Sequence, residues 1–238
     1  ASKTKKRWYR RRVMCGRYQL SLPLDDLESI FDATGKLPVR PRYNIAPTQV
    51  APVVRPWLGQ REIVGMRWGL IPPWSTEGLK GKPLINARSE TVSEKPSFRD
   101  ALQRGRCLVP ATGFYEWRRA GRKKIPYLIR TRDEPVFAMA GIASRWRGPD
   151  GLVDSVAVLT VDPLGALGTL HDRMPVILSP AALDRWLDPT ASKEEILRLL
   201  QPLTADALTI IEVSDRVNSV RHDDASCEQP AAIQPTLW

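Results

Sequence analysis

Cysteine and histidine are scarce in this 238-residue chain, which contains three cysteines and two histidines. An odd, low number of cysteines does not form a disulfide framework, and two histidines are too few for a zinc-ligand spacing. No segment approaches the roughly 20 consecutive apolar residues that a membrane helix requires, and no apolar signal core follows the basic N-terminus. We therefore expect a protein of the reducing cytoplasm or nucleoid that holds no metal and enters no membrane.

Several motifs that would define a function class are also missing. The sequence has no glycine-rich phosphate loop, no paired-carboxylate signature and no serine elbow, which argues against the corresponding nucleotide-binding enzymes, glycosidases and serine hydrolases.

Positive charge is unevenly distributed. Residues 1–13 carry seven Lys or Arg residues and no acid, so that the remainder holds only about +3 of the net charge of +10. A basic protein attracts polyanions, above all nucleic acids. We interpret residues 1–13 as a disordered or non-native arm, residues 14–225 as one domain and residues 226–238 as a soft tail.

Strand-like segments dominate the domain, with a few short helices between them. Helices are predicted at 24–32, 98–104, 180–187 and 194–200, and strands at 61–68, 107–117, 127–131, 136–144 and 153–161. The proline-rich stretch 38–56 predicts extended edges and turns. Without a βαβ rhythm, this order indicates an α+β fold around a largely antiparallel, barrel-like sheet.

Cys15 directly follows a methionine, Met14. If translation starts at Met14 and the methionine is removed, Cys15 gains a free α-amine. The amine of such a 1,2-aminothiol forms a Schiff base with an aldehyde, and the thiol then closes a thiazolidine ring. The alternative is a small buried apolar side chain, the common fate of a free cysteine.

Three other segments place polar side chains beside apolar or aromatic residues or beside each other. Asn86 and Arg88 share one strand face and could orient a substrate oxygen and a phosphate. Glu116 is flanked by aromatic residues that would raise its pKa and suit it to general acid catalysis. His171 can shuttle protons, and Arg173 beside it could neutralise a phosphate. Each of these residues could equally occupy a solvated strand end or loop.

An aromatic loop, WGLIPPW, spans residues 68–74. Trp68 and Trp74 at its ends are candidates for stacking on bases, although for Trp68 a proline-stiffened core corner is the preferred interpretation.

Taken in order, these segments closely resemble the SOS-response-associated peptidase family, whose members crosslink to abasic sites in DNA. The matching segments are MCGRY at 14–18, RYNIAPTQ at 42–49, RWGLIPPW at 67–74, INARSET at 85–91, RCLVPATGFYEW at 106–117, AGIASRW at 140–146, LT at 159–160 and HDRMPVIL at 171–178. The resemblance implies a compact α+β fold with a positively charged groove for single-stranded DNA.

The resemblance also implies residue roles in a DNA damage response. Cys15 would be the crosslinking nucleophile, Glu116 the acid/base, His171 a proton donor or acceptor at the sugar oxygen, and Asn86 the group that orients Cys15 or the opened sugar. The residues implied in DNA binding are Arg88 and Arg173 at phosphates and, along the DNA path, Pro47, Trp74 and Thr160. No cofactor is implied, and the partner would be abasic single-stranded DNA bound by a monomer.

Two alternatives remain open at this point. Cys15, His171 and Glu116 could form a thiol peptidase set, acting on peptides or on the chain itself, or the chain could be a non-catalytic reader of modified or single-stranded DNA. One feature departs from the family pattern, because an amide nitrogen at Cys15 cannot form a Schiff base while residues 1–14 are attached. Translation from Met14, or removal of the arm, would resolve this.

Overall fold

A computed structural model describes residues 15–35, 37–165 and 167–231. The strands in this part are β1 Tyr18–Leu20, β2 Thr34–Gly35, β3 Arg42–Ile45, β4 Val50–Trp57, β5 Gln60–Trp68, β6 Asn86–Arg88, β7 Arg106–Ala111, β8 Gly113–Ala120, β9 Lys123–Thr131, β10 Phe137–Gly148, β11 Gly151–Val161, β12 Met174–Pro175, β13 Ile177–Leu178 and β14 Leu208–Glu212. The helices are α1 Leu24–Phe31, α2 Arg99–Arg104, α3 Leu167–Leu170, α4 Leu183–Leu187 and α5 Lys193–Arg198. The predicted α+β class is confirmed.

The larger sheet closes on itself as a barrel. Its central order is β11-β10-β7-β4-β5, and β5 returns to pair with β11 in parallel at Arg67↔Ser155 and Trp68↔Val156. The other pairs of this ring are antiparallel. Apolar side chains on these strands, among them Val54, Leu108 and Val156, have no exposed surface and form the main core.

A second, fully antiparallel sheet with the order β14-β9-β8-β1-β3 packs beside the barrel. The predicted strand 107–117 is in fact two strands, because β7 belongs to the barrel and β8 to this second sheet. Thr112 lies between them and donates its backbone N–H to the carbonyl of Gln19 at 2.9 Å. Gly113 follows, where an added Cβ would come within 2.7 Å of Leu128 Cδ1. This crossing places Glu116 at the junction of the two sheets.

The predicted helices are present with small shifts. The first helix ends at Phe31 rather than running toward Gly35, because Asp32 adopts a left-handed conformation with φ of 45°. The segment 180–187 begins as a 3-10 turn and continues as α4. No helix of the described ranges is long and apolar enough to cross a membrane.

The expectation that the proline-rich stretch forms sheet edges is wrong for one strand. β4 contains Pro52 and Pro56 and yet lies between β5 and β7. Its only register pair with β7 is Val54↔Leu108, so the strand loses little by lacking two backbone donors.

The C-terminal boundary also differs from the expectation. Residues 226–231 pack on the domain: Cys227 is fully buried, Glu228 accepts from Gln19 Nε2 at 3.2 Å, and Val213 bridges to Pro230. The arm at residues 1–13 and the rest of the tail, 232–238, lie outside the described residues.

Candidate active site

Cys15 lies at the start of the described chain, just before β1, and is 2% exposed. Its carbonyl oxygen accepts a hydrogen bond from Asn86 Nδ2 at 3.1 Å. Burial raises the pKa of its thiol well above the ordinary value, and the nearby charge of Glu116 raises it further, whereas the backbone amide of Arg17 lowers it. Cys15 is therefore held as a neutral thiol beside an acidic side chain.

Glu116 lies in β8, opposite Tyr127 of β9, and is 2% exposed. Burial raises the pKa of its carboxyl well above the ordinary range, and Asp172 adds to the rise. The backbone amides of Cys15 and Trp117 act in the opposite direction. Oε1 is buried and has no hydrogen-bond partner among the described residues. A raised pKa favours the protonated carboxyl, which can act as a general acid.

His171 follows α3, and its backbone N–H bonds to the Leu167 carbonyl at 3.1 Å. Its ring is 4% exposed, with Nδ1 3.0 Å from the backbone nitrogen of Arg173 and 3.1 Å from Asp172 Oδ1. These contacts fix the imidazole in the wall of the cavity that also contains Glu116.

This cavity has a volume of about 660 Å³. Its lining residues are Gly16, Arg17, Glu116, Trp117, Arg118, Arg119, Arg122, Lys124, Thr169, Leu170, His171 and Asn218. Five of them are Arg or Lys, and Glu116, whose raised pKa favours the neutral form, is the single acid. The cavity therefore favours an anionic ligand.

Arg17 and Trp117 form one edge of the cavity. The Arg17 guanidinium lies 5.7 Å from the centre of the Trp117 ring, and its Nη1 donates to Asn44 Oδ1 at 2.7 Å and to the Val217 carbonyl at 2.8 Å. Trp117 Nε1 donates to Asn218 Oδ1 at 2.6 Å. The C-terminal segment thus braces the cavity mouth.

The two arginines proposed for phosphate binding have different surroundings. Arg88 is exposed at the end of β6. Arg173 is 5% exposed, and its guanidinium pairs with Glu90 at 2.8 and 2.9 Å and contacts Asp162 and the Thr160 carbonyl. A buried guanidinium with these partners does not face the cavity, so this geometry does not support phosphate contact by Arg173.

The other expected DNA contacts also divide by exposure. Trp74 is 62% exposed and Pro47 is partly buried, and neither is part of the cavity lining. Trp68 and Thr160 are wrong as surface contacts in this structure, because they are 1% and 0% exposed. Trp68 packs edge-on against Tyr18 at 5.2 Å and donates from Nε1 to the Ile85 carbonyl at 3.0 Å, which makes it a core residue.

Sequence reasoning missed most of the cationic wall. Arg17 lies inside the MCGRY segment but had no role assigned, and Asn218 lies beyond the matching segments. The signal for the others was the run RRAGRKK at 118–124, which contains five cations and no acid.

Cys107 and Cys227 are buried and free. Within the described ranges, no group of three or more His, Cys, Asp or Glu side chains is placed to hold a metal ion.

The barrel and the second sheet define a mixed α+β protein. Its candidate active site contains a buried thiol near a carboxyl and an imidazole, next to a cationic cavity. The family model described as SOS response associated peptidase (SRAP) matches residues 14–220, and the chain belongs to this family.

Relatives and a solved structure agree with this assignment. The chain is 40% identical to the abasic site processing protein YoqW of Bacillus subtilis (strain 168), over 88% of this chain and 96% of that protein. It is 33% identical to the abasic site processing protein HMCES of Rattus norvegicus, over 92% of this chain and 77% of that protein. A crystal structure of a protein from Bacteroides thetaiotaomicron superposes with a TM-score of 0.83 at 30% identity, covering 91% of this chain and all of that one.

Proposed function

We propose that this protein acts in the DNA damage response by linking itself covalently to abasic sites in single-stranded DNA through Cys15. One observation carries the proposal: Cys15 is held by Asn86 directly beside the buried Glu116, whose raised pKa favours the protonated form, next to a cation-lined cavity. The printed names of the relatives, abasic site processing proteins, support abasic DNA as the substrate.

The chemistry starts from the ring-opened form of the abasic deoxyribose, which carries an aldehyde at C1′. The α-amine of an N-terminal Cys15 adds to this carbon and gives a carbinolamine. Glu116 donates a proton to the departing hydroxyl, water leaves, and the nitrogen returns its proton to the Glu116 carboxylate as the Schiff base forms. The Cys15 thiol then adds to the same carbon, its proton passes to the nitrogen, and the five-membered thiazolidine closes. The net reaction joins protein and DNA with loss of one water and needs no oxidant or cofactor.

The other residues assist this sequence. His171, fixed in the cavity wall, exchanges a proton with the sugar ring oxygen when the ring opens. Asn86 holds the Cys15 backbone, so that amine and thiol meet one carbon. Arg88, with Trp74 and Pro47 further along the surface, contacts the strand beside the lesion.

A free α-amine at Cys15 is a requirement of this proposal, because an amide nitrogen cannot form the Schiff base. The active species therefore begins at Cys15, after translation from Met14 or after removal of residues 1–14.

The test incubates two forms, the full chain and a chain that begins at Cys15, with an oligonucleotide carrying one abasic site. We expect a heat-stable adduct only from the Cys15 form, with a mass equal to protein plus DNA minus one water. The matched control is Cys15→Ser in the same form, which should give no stable adduct unless a borohydride reductant traps its Schiff base. Absence of any adduct from the Cys15 form would refute the proposal.

The same experiment separates the alternatives. A thiol autopeptidase would shorten the full chain to the Cys15 form, which intact mass would reveal. A non-catalytic reader would bind the oligonucleotide equally well with Ser at position 15.

A further inference from the structure

The outer end of the β8–β9 hairpin is strongly basic. Residues 118–124 contain five cations and no acid, namely Arg118, Arg119, Arg122, Lys123 and Lys124. All five are exposed, and all but Lys123 line the cavity that contains Glu116. The cationic surface of the candidate active site therefore extends along this hairpin, on one side of Glu116.

The arrangement of these cations is unfavourable for the hairpin itself. Arg119 and Lys124 are direct cross-strand partners, and like charges in directly opposed positions destabilise a sheet. None of the five takes part in an ion pair within the described part of the chain. At the base of the hairpin, the Arg118 guanidinium lies 5.4 Å from the centre of the Tyr127 ring. The carboxylate at this position, Glu212, accepts a hydrogen bond from the Tyr127 hydroxyl at 2.9 Å and forms no ion pair with Arg118. A polyanion bound at the tip would relieve a repulsion that the fold leaves uncompensated.

We infer that this hairpin is a one-sided phosphate-binding arm, which holds the strand on one flank of the abasic nucleotide and leaves the other flank to different contacts. At a rise of about 3.4 Å per residue, the tip at Gly121 lies about 17 Å along the strand from Glu116. That length covers a few nucleotides of extended single strand. The inference rests on the proposed function and adds to it a substrate requirement: flanking DNA on one particular side of the lesion.

The first test measures binding of the full chain to a single-stranded oligonucleotide with a central tetrahydrofuran, an abasic analogue that lacks the aldehyde. The double variant Arg119→Gln/Lys124→Gln removes two charges near the tip. It should lower the steepness of the dependence of log affinity on log salt concentration by about 1.4. The ratio of the parent's affinity to that of this variant should then rise about 25-fold as the salt concentration falls from about 1 M to about 0.1 M.

The matched control removes the same charge from exposed positions of α5, in Lys193→Gln/Arg198→Gln. It should lose less than half as much slope, because neither residue lines the cavity. A parent-like slope in the hairpin variant, or an equal loss in the control, would overturn the inference. The melting temperature of the hairpin variant should stay level or rise, since a like-charge pair is removed; a fall would contradict the repulsion between Arg119 and Lys124.

The second test places the tetrahydrofuran near the 5′ end or near the 3′ end of the oligonucleotide. Relative to the parent, the hairpin variant should lose affinity for the one oligonucleotide whose DNA extends along the hairpin and should bind the other as the parent does. Equal losses for both oligonucleotides would refute a one-sided arm. Failure of the proposed function is distinguishable, because it appears as absence of a covalent adduct in the Cys15 form, whereas these tests involve no covalent step.

Discussion

Asn86 donates a hydrogen bond from Nδ2 to the main-chain carbonyl oxygen of Cys15 across 3.1 Å. The bond joins β6, which pairs with β11 of the barrel, to the residue that precedes the second sheet. It acts on the backbone of Cys15 rather than on the thiol, so we assign Asn86 a positioning role.

Replacement of Asn86 by Asp should therefore slow adduct formation. A carboxylate repels the Cys15 carbonyl, and loss of alignment between amine, thiol and aldehyde costs about 100-fold in rate. Single-turnover adduct formation with the Cys15 form measures this effect. Asn86→Ala, which removes the donor without adding charge, should be slowed less than Asn86→Asp. A parent-like rate in both variants would show that the hydrogen bond has no part in positioning.

Glu116→Gln should change the pH dependence of both stability and reaction. The folded pKa of Glu116 lies well above its ordinary value of 4.5, so its stabilising contribution is complete below 4.5 and is lost as pH rises through the folded pKa. Gln does not titrate, so the free energy of unfolding of the variant should gain on that of the parent as pH rises across that window. Urea unfolding at several pH values measures this gain.

The reaction should follow the same titration. In the parent, adduct formation should slow as pH rises through the raised pKa of Glu116, because the proton donor is lost. Glu116→Gln should be slow throughout and should lack this descending limb. A variant with the parent's pH profile would assign the proton transfer to another group, with His171 the first candidate.

The sequence predicted the site better than it predicted the surfaces around it. The aromatic neighbours of Glu116 indicated a raised pKa, and in the structure burial raises this pKa and the residue lies beside Cys15, whereas the catalytic roles of both residues stay predictions. Exposure could not be read in the same way, because a local motif does not reveal which side of a strand faces the core. Trp68 and Thr160 are buried for this reason, although both lie in matching family segments.

Contacts between residues that are distant in the sequence were the second feature that the sequence did not predict. The opposition of Arg119 and Lys124 depends on the register of the β8–β9 hairpin. The burial of Arg173 depends on Glu90, which is far away in the sequence. Composition and periodicity predict elements, whereas such pairs follow from tertiary packing.

The two tryptophans of the 68–74 loop should separate stability from DNA binding. Trp68→Phe removes a buried N–H donor to Ile85 and should lower the free energy of unfolding by about 1–3 kcal/mol with unchanged DNA affinity. Trp74→Ala removes an exposed ring and should leave stability within about 0.5 kcal/mol. If a base stacks on Trp74, affinity should fall by about 1–3 kcal/mol. Urea unfolding and anisotropy titrations on both variants measure this; reversed outcomes would place Trp68 in the DNA path.

The buried side chain of Arg106 connects two helices to the barrel. Its guanidinium is 7% exposed and donates to the carbonyls of Leu102 at 2.8 Å, Gln103 at 3.0 Å, Trp186 at 2.7 Å and Asp188 at 2.6 Å. This one side chain at the start of β7 thus provides hydrogen bonds to the free backbone carbonyls at the C-terminal ends of α2 and α4, where a positive charge is favourable. Burial lowers the pKa of Arg106, but arginine titrates too far above neutrality for the charge to be lost.

Arg106→Met should lower the free energy of unfolding by at least about 3 kcal/mol, because four backbone carbonyls at two helix ends lose a charged donor. Arg104→Met is the matched control: Arg104 is exposed in the last turn of α2, and its replacement should cost less than about 0.5 kcal/mol. Since Arg106 does not line the cavity, the folded Arg106→Met variant, with its N-terminus at Cys15, should form the DNA adduct at the parental rate. Equal destabilisation by both substitutions would show that the four hydrogen bonds contribute little, and a slowed adduct at full folding would show that the site depends on this support.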